Sequence, residues 1–346
     1  MSGAGDTAAP LGGFFGLELP DTGAGLWAHW GAARGLAFAN ATSALAALVR
    51  RAAPGAVWFP GFVCAEFTHA VPEGQRRYYA VDEDLGPEAG TLDPAPGDIV
   101  VGVNYFGRAA GAAGAAWRAR VAAHPRVTFV EDCAQALDTG VAPWGQWRLY
   151  SPRKLAGIPD GGLLVPMDGA GGRQVLPPAP EAPPVEAVQA ALAAKLARME
   201  HPLDNALWHP MNQAHEAAHA VSGQGMSTLS RRLMGLIDVA AVSARRHENY
   251  RVLAEALAPW SVLADPDPAF VPFGFPVRLA PGQRDRVAQA LYGQGIFPAV
   301  HWRDLPGVPS ARDRARAESW LTLPCDQRWS VDDMARMARA FAGAAA

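Results

Sequence analysis

Between residues 43 and 166 the chain switches repeatedly between helical and extended hydrophobic periods, and this alternation constrains the fold more than any other feature. SALAALVRR (43–51) carries apolar residues at helical spacing. Short β-rich runs follow at 56–60 (AVWFP), 78–82 (YYAVD) and 98–106 (DIVVGVNYF). A helical stretch at 112–123 then leads to the strands VTFVED (127–132) and GGLLVP (161–166). Strands alternating with helices specify an α/β domain with a mostly parallel sheet, because parallel neighbours need a long crossover to return the chain. Ligands collect at the carboxyl ends of strands in such sheets. Asp132 closes one of these strands, and Asn104 lies near the end of another.

From 166 to 185 the sequence turns to Gly and Pro (PMDGAGGRQVLPPAPEAPP), which reads as an exposed connection. Helical patterns dominate from 185 to 258, with breaks near Gly223 and Gly225, and 227–258 reads as a link between two domains. The tail alternates again: strand 273–279, helix 282–293, strand 297–302, a short strand near 320–323 and a helix at 331–343. The expected division is a large domain over 1–235 and a helix-led, small α+β domain over 236–346. Half of the 346 residues are apolar and 18% are charged, enough to bury a large core. A net charge of −3 provides no basic field for a nucleic acid backbone. No apolar run is long enough to span a bilayer, and the first ten residues lack the features of a signal peptide. Three cysteines, Cys64, Cys133 and Cys325, fit a reducing cytosol better than a disulfide framework. The expectation is a cytoplasmic protein that binds neither nucleic acid nor membrane.

One count bears on chemistry. Of the 30 cationic residues only Lys154 and Lys195 are lysines. A chain that has replaced nearly all lysine by arginine keeps lysine where arginine cannot substitute. Of the two, lysine alone can shed its proton near neutral pH and act as a nucleophilic amine.

Four motifs can be read with this in mind. Asn40-Ala41-Thr42-Ser43-Ala44 opens a helix, where unpaired amides and hydroxyls can hold an anion; the same residues make an ordinary N-cap. Asp132 ends its strand ahead of Cys133-Ala134-Gln135, so its carboxylate can meet the N–H of a bound heterocycle or cap the next turn. Ser151-Pro152-Arg153-Lys154 precedes Asp160-Gly161-Gly162, a spacing that many pyridoxal phosphate (PLP) enzymes use for their Schiff-base lysine. Lys195 sits in the amphipathic VEAVQAALAAKLARME and reads as part of a solvated face. The fourth motif, His215-Glu216-Ala217-Ala218-His219, matches the H-E-x-x-H helix of zinc proteases. It lacks a third ligand, with Ser222 where the extended pattern has Gly, so no metal is expected there.

Taken in order, Asn40–Ala44, Glu131–Gln135 and Lys154…Asp160-Gly161-Gly162 resemble the DegT/DnrJ/StrS family of fold-type-I, PLP-dependent sugar aminotransferases. The likeness continues through MSTLSRRL…Arg245-Arg246, Gly295-Ile296…His301-Trp302 and Leu323-Pro324-Cys325-Asp326. It implies a large PLP domain with a mostly parallel sheet, a small C-terminal domain, and a homodimer with shared active sites. It also implies that Lys154 anchors the cofactor, Asp132 faces its pyridine nitrogen and Gln135 its ring hydroxyl. Thr42, Ser43 and Ser151 would hold the phosphate, and Asn104, Tyr105, Gln224 and His301 would line the substrate. Two positions depart from the family pattern. Cys64 stands where an aromatic residue often covers the ring, leaving Phe62 or Tyr105 to stack. Gln224-Gly225-Met226 replaces the usual Asn-Tyr-Arg of a segment that enters the partner's site. The implied activity is amino transfer from glutamate to a nucleotide-linked keto-sugar. The alternatives are a PLP enzyme acting on a non-sugar substrate by transamination or elimination, a zinc hydrolase using His215 and His219, and a non-catalytic binding protein.

Overall fold

The computed structural model describes residues 17–108, 110–167, 176–218, 220–263 and 270–346. The first ten residues, read for a leader, and residues 168–175 of the Pro/Gly-rich connection lie outside them. Strands β1 (Leu36–Phe38), β2 (Val57–Pro60), β3 (Arg76–Tyr79), β4 (Ile99–Val103), β5 (Thr128–Asp132), β6 (Trp147–Tyr150) and β7 (Gly162–Pro166) form one sheet in the order β1-β7-β6-β5-β4-β2-β3. The five strands from β6 to β3 run parallel, with Val103 beside Asp132 and Asp132 beside Leu149. Only β7 opposes its neighbours, pairing Leu163 with Tyr150 on one side and Leu164 with Leu36 on the other. The expected α/β class is present.

The chain reverses its spatial progression between β2 and β4, which places a crevice outside the carboxyl ends of those strands. Every residue of β4 is buried, as a parallel strand covered on both faces requires. Val101 faces a core with helix α2 (Ala41–Ala52), whereas Val100 faces Trp117 and Trp144 on the other side. The remaining helices are α1 (Gly25–His29), α3 (Ala65–Thr68), α4 (Ala110–Ala123), α5 (Val185–Glu200), α6 (Asn205–Ala217), α7 (Thr228–Gly235), α8 (Val239–Ala256), α9 (Arg284–Tyr292), α10 (Ala311–Ser319) and α11 (Val331–Ala345). A second core forms where α8, α9 and α11 pack on an antiparallel pair, β8 (Phe275–Arg278) and β9 (Trp320–Leu323). None of the helices among the described residues is long and apolar enough to cross a membrane.

Three sequence readings change. The helical run 227–258 breaks after Gly235, because the Asp238 carboxylate accepts the Ala241 amide (2.9 Å) and starts α8 afresh. The run 297–302 makes only a single bridge, Ala299 to Thr322; Pro298 beside it has no amide to extend the ladder. Lys195 is not on a solvated face. It is part-buried between α5 and α6, donates to Asn212 Oδ1 (3.1 Å), and burial lowers its pKa.

Candidate active site

The Lys154 loop leaves the carboxyl end of β6 as a single 3₁₀ turn, Pro152–Lys154. Its return into β7 depends on two glycines. Gly161 has a φ of +127°, and a Cβ on Gly162 would lie 2.1 Å from the Asn40 carbonyl carbon. Only glycine lets β7 begin flush against the start of α2. Asp160 anchors the same turn: its carboxylate accepts the Ser227 amide (3.0 Å) and its own amide donates to Ser230 Oγ (3.2 Å). The Asp160-Gly161-Gly162 motif thus holds the lysine loop against the N-terminus of α2.

Asp132, at the end of β5, is 7% exposed. Its Oδ1 accepts the Ala134 amide (2.8 Å), and Oδ2 has no hydrogen-bond partner among the described residues. Burial pushes this carboxyl above its ordinary value, while the Lys154 charge and the Ala134 amide oppose the shift. The Lys154 side chain is exposed, and among the described residues no hydrogen bond or salt bridge engages its ammonium. Its charge is felt by three further groups from two parts of the chain. Cys64, after β2, is pushed up to about 11 by burial and by donating to Glu66 Oε2 (2.8 Å), with Lys154 pulling the other way. Glu66 is lowered by that hydrogen bond first and by Lys154 in smaller part. His301 is lowered to about 3 by burial and then by Lys154, and its Nδ1 lies 2.9 Å from Thr322 Oγ1. A neutral imidazole, a thiol and two carboxyl groups therefore lie within electrostatic reach of one accessible amine at the carboxyl end of β6.

Beside them lies the start of α2. Asn40 Oδ1 accepts the Ser43 amide (2.8 Å), the expected N-cap, and Thr42 is part-exposed. Ser151 is buried, and its hydroxyl has no partner among the described residues. Ser43 differs from expectation: it is fully enclosed, and its Oγ accepts the Ser222 amide (3.0 Å). Gln135 is buried, and its Oε1 accepts the Phe106 amide (2.9 Å), which leaves the NH₂ end as the part able to meet a ligand.

The structure buries three residues that were expected to meet a ligand. Asn104 is sealed in the core, where its Nδ2 faces Cys133 Sγ at 3.2 Å. Tyr105 is also enclosed, its hydroxyl donating to the Phe62 carbonyl. Phe62 packs among Tyr105, Trp302 and Trp320 and is fully buried. Gln224 is held by its backbone on its own chain: Ala39 donates to its carbonyl (2.9 Å), and the next residue but one, Met226, donates to the Ala37 carbonyl (3.1 Å). In the H-E-x-x-H helix, His215 faces the Pro159 carbonyl (3.3 Å) and Glu216 pairs with Arg153, beside Lys154; His219 lies outside the described residues. Among the described residues no three metal-ligating side chains converge.

Glu66 escaped the sequence reading, and Arg246 entered it only as part of the family likeness, with no role of its own. Glu66 is two residues from Cys64, so a search around the departure at Cys64 would have found it. Arg246 shares a helical face with the apolar positions Tyr250 and Leu253, and an arginine on an inward stripe is itself a signal.

No protein-family model matches the chain, and no curated protein matches it in sequence. Solved structures do match. The aminotransferase TlmJ from Streptoalloteichus hindustanus is 17% identical, with 92% of this chain and 88% of that chain covered at a TM-score of 0.63. The PLP form of the sugar aminotransferase Spr1654 from Streptococcus pneumoniae, itself a putative assignment, is 15% identical, with 92% and 89% covered at 0.63. DesI, solved with its TDP-sugar product, is 21% identical, with 90% and 80% covered at 0.61. The chain has their fold. The α/β, fold-type-I architecture expected from the sequence is therefore established.

Proposed function

We propose that this protein is a cytosolic PLP-dependent aminotransferase that moves an amino group from glutamate to a nucleotide-linked keto-sugar. The observation that carries the reading is the accessible, unengaged ammonium of Lys154 beside a buried Asp132 with one free oxygen, next to the N-terminus of α2 with its part-exposed Thr42. Those three features fit the three ends of the cofactor. Lys154 suits its aldehyde, Asp132 its ring nitrogen, and α2 with Thr42 and Ser151 its phosphate. When bound, PLP supplies an electron-accepting ring conjugated to the substrate's amino-bearing carbon. Asp132, in a site of low dielectric, holds the proton on the ring nitrogen. The Lys154 amine holds the cofactor between turnovers and, once displaced, moves a proton from the substrate carbon. His301, kept neutral, borders the amine without adding a second positive charge. The fold of TlmJ and the TDP-sugar seen with DesI support the aminotransferase activity and the acceptor class.

The proposed active unit is a homodimer. In α6 no residue is buried, and Leu203 and Leu207 stand exposed, as do Leu196 and Met199 on the last turns of α5, apolar surface that a second copy would cover. With Gln224 held on its own chain, its side chain is the part that would complete the neighbouring site. The proposed domain division at 235/236 would fall just after α7, and the second core, which includes Tyr250 and Leu253 of α8, supports it.

Borohydride reduction after adding PLP, followed by peptide mapping, tests the assignment. The label is expected on Lys154; a label on Lys195, or on neither lysine, overturns it. Loss of the near-visible absorbance band on adding glutamate tests the donor.

A further inference from the structure

The Lys154 loop is fastened from outside by a buried arginine. Arg246, on α8, is 1% exposed, and no carboxylate accepts its hydrogen bonds among the described residues. Its guanidinium instead gathers acceptors from three separate segments. Nη2 donates to the Leu155 carbonyl (3.0 Å), Nη1 to the carbonyls of Pro272 (3.0 Å) and Phe273 (3.2 Å), and Nε to Gln327 Oε1 (2.9 Å). Gln327 in turn donates its Nε2 to the same Leu155 carbonyl at 2.9 Å. Burying a guanidinium without a carboxylate partner is costly, so such an arrangement persists only where every N–H that is withdrawn from water is met by a fixed acceptor.

Leu155 directly follows Lys154. The hydrogen bonds that the turn makes with itself are local: the Lys154 amide reaches Ser151, and the amides of Leu155 and Ala156 reach Pro152. Bonds of that kind set the shape of the turn and not its place against the sheet. Its place is set by Arg153 with Glu216 on one side, by Asp160 further on, and at the residue after the lysine by the doubly bonded Leu155 carbonyl. The same guanidinium extends toward the other half of the site. The Phe273 amide donates to the Phe106 carbonyl (3.0 Å), and the Phe106 amide donates to Gln135 Oε1, three residues beyond Asp132.

We infer that Arg246, with Gln327, is a positioning residue that fixes Lys154 in register with Asp132 and Gln135 and ties that register to the docking of the C-terminal unit. The inference rests on the reading of Lys154 as the cofactor's anchor.

Its test uses Arg246→Lys, Gln327→Glu, the milder Gln327→Leu, and a matched control. Gln327→Glu gives Arg246 a carboxylate to pair with and sets a negative charge against the Leu155 carbonyl. Asn249→Ala is the control, because Asn249 sits on the same helix and bonds the carbonyls of Asp326 and Trp329 without touching the lysine loop. The first readout, amide exchange over 154–158 in the cofactor-free protein, does not depend on the function. Exchange there should rise about tenfold in Arg246→Lys and Gln327→Glu and less in Gln327→Leu, and stay within about twofold in Asn249→Ala at equal thermal stability. The second readout is the pH midpoint of the Lys154-linked absorbance band after PLP is added. It should move in the Arg246 and Gln327 variants and stay put in the control, with kcat falling more than KM rises. Unchanged exchange, or an equal rise in Asn249→Ala, overturns the inference while leaving the aminotransferase reading standing. Faster exchange with no band at Lys154 overturns that reading, and the inference with it, and reduces Arg246 to a packing role.

Discussion

Acidification should weaken this fold through His301 in a way that one substitution isolates. The imidazole is packed against Phe106, Phe273 and Trp302, bonds Thr322 Oγ1 through Nδ1, and has its pKa lowered from 6.5 to about 3 by burial and the nearby Lys154 charge. Between those two values the unfolded chain takes up a proton that the folded chain refuses. Stability contributed by a neutral His301 is therefore intact above 6.5 and is lost as the pH falls toward 3. Each pH unit in that window costs the folded state at most about 1.4 kcal/mol, so a drop of two units from 6.5 costs up to about 2.7 kcal/mol. The part-exposed ring makes that figure an upper bound. Urea unfolding of the cofactor-free protein, wild type against His301→Gln, at four pH values from about 7.5 to about 4.5 measures it. At the highest pH the variant should be less stable by about 1 kcal/mol, for lost ring packing. That deficit should close and then reverse in acid, because glutamine has no proton to refuse. Carboxylates common to both proteins cancel in the difference. A difference that stays flat across the series would refute the burial argument.

Asp132→Asn should retain PLP affinity through the phosphate contacts yet lose at least about 100-fold in turnover, some 2.7 kcal/mol, measured by steady-state kinetics at saturating cofactor; near wild-type activity would count against Asp132 as the ring-nitrogen partner. Gly162→Ala forces a methyl into the Asn40 and Ala41 backbone and should destabilise by about 3 kcal/mol or more, read as a fall in the urea midpoint; a neutral substitution would mean that β7 need not sit flush on α2. Mixing Lys154→Ala with Gln224→Trp under subunit exchange should recover about one quarter of wild-type activity, since random pairing makes half the dimers mixed, each with one intact site. No recovery despite proven exchange would refute shared sites.

Much of the site could be read from the chain because its key residues obey local rules. Lys154 stood out through the near absence of lysine, Asp132 through its place at the end of VTFVED, and the parallel sheet through the alternation of periods. The features that could not be read are those where distant contacts decide. Trp147–Tyr150 is a strand because β5 and β7 flank it, although four residues between loops carry little pattern of their own. Helix α10 has no apolar stripe: it buries Asp313 and Arg316, which bond each other while Arg316 also reaches the Val81 carbonyl. Asn104, Tyr105 and Phe62 lie at the right points of the sequence for a ligand, and only the packing around them shows that they face inward. Arg246 takes its meaning from four acceptors in three segments spread over residues 155 to 327, which no spacing rule connects.

The pairing of β1 with β7 has a consequence for biosynthesis. Leu36 finds its partner only in Leu164, 128 positions later, and Phe38 also bridges Gly225. At roughly 5–20 residues per second a ribosome needs about 6–26 s to supply the first partner, and longer for the second. Through that interval the first strand is an open edge, and the helix start that follows it at Asn40 has no Gly162 to rest against. The intervening parallel strands can assemble while the nascent chain waits. The start of α2 beside the Lys154 loop therefore takes its final place late, from the earliest-made strand, and any small molecule held there must arrive after most of the polypeptide has left the tunnel.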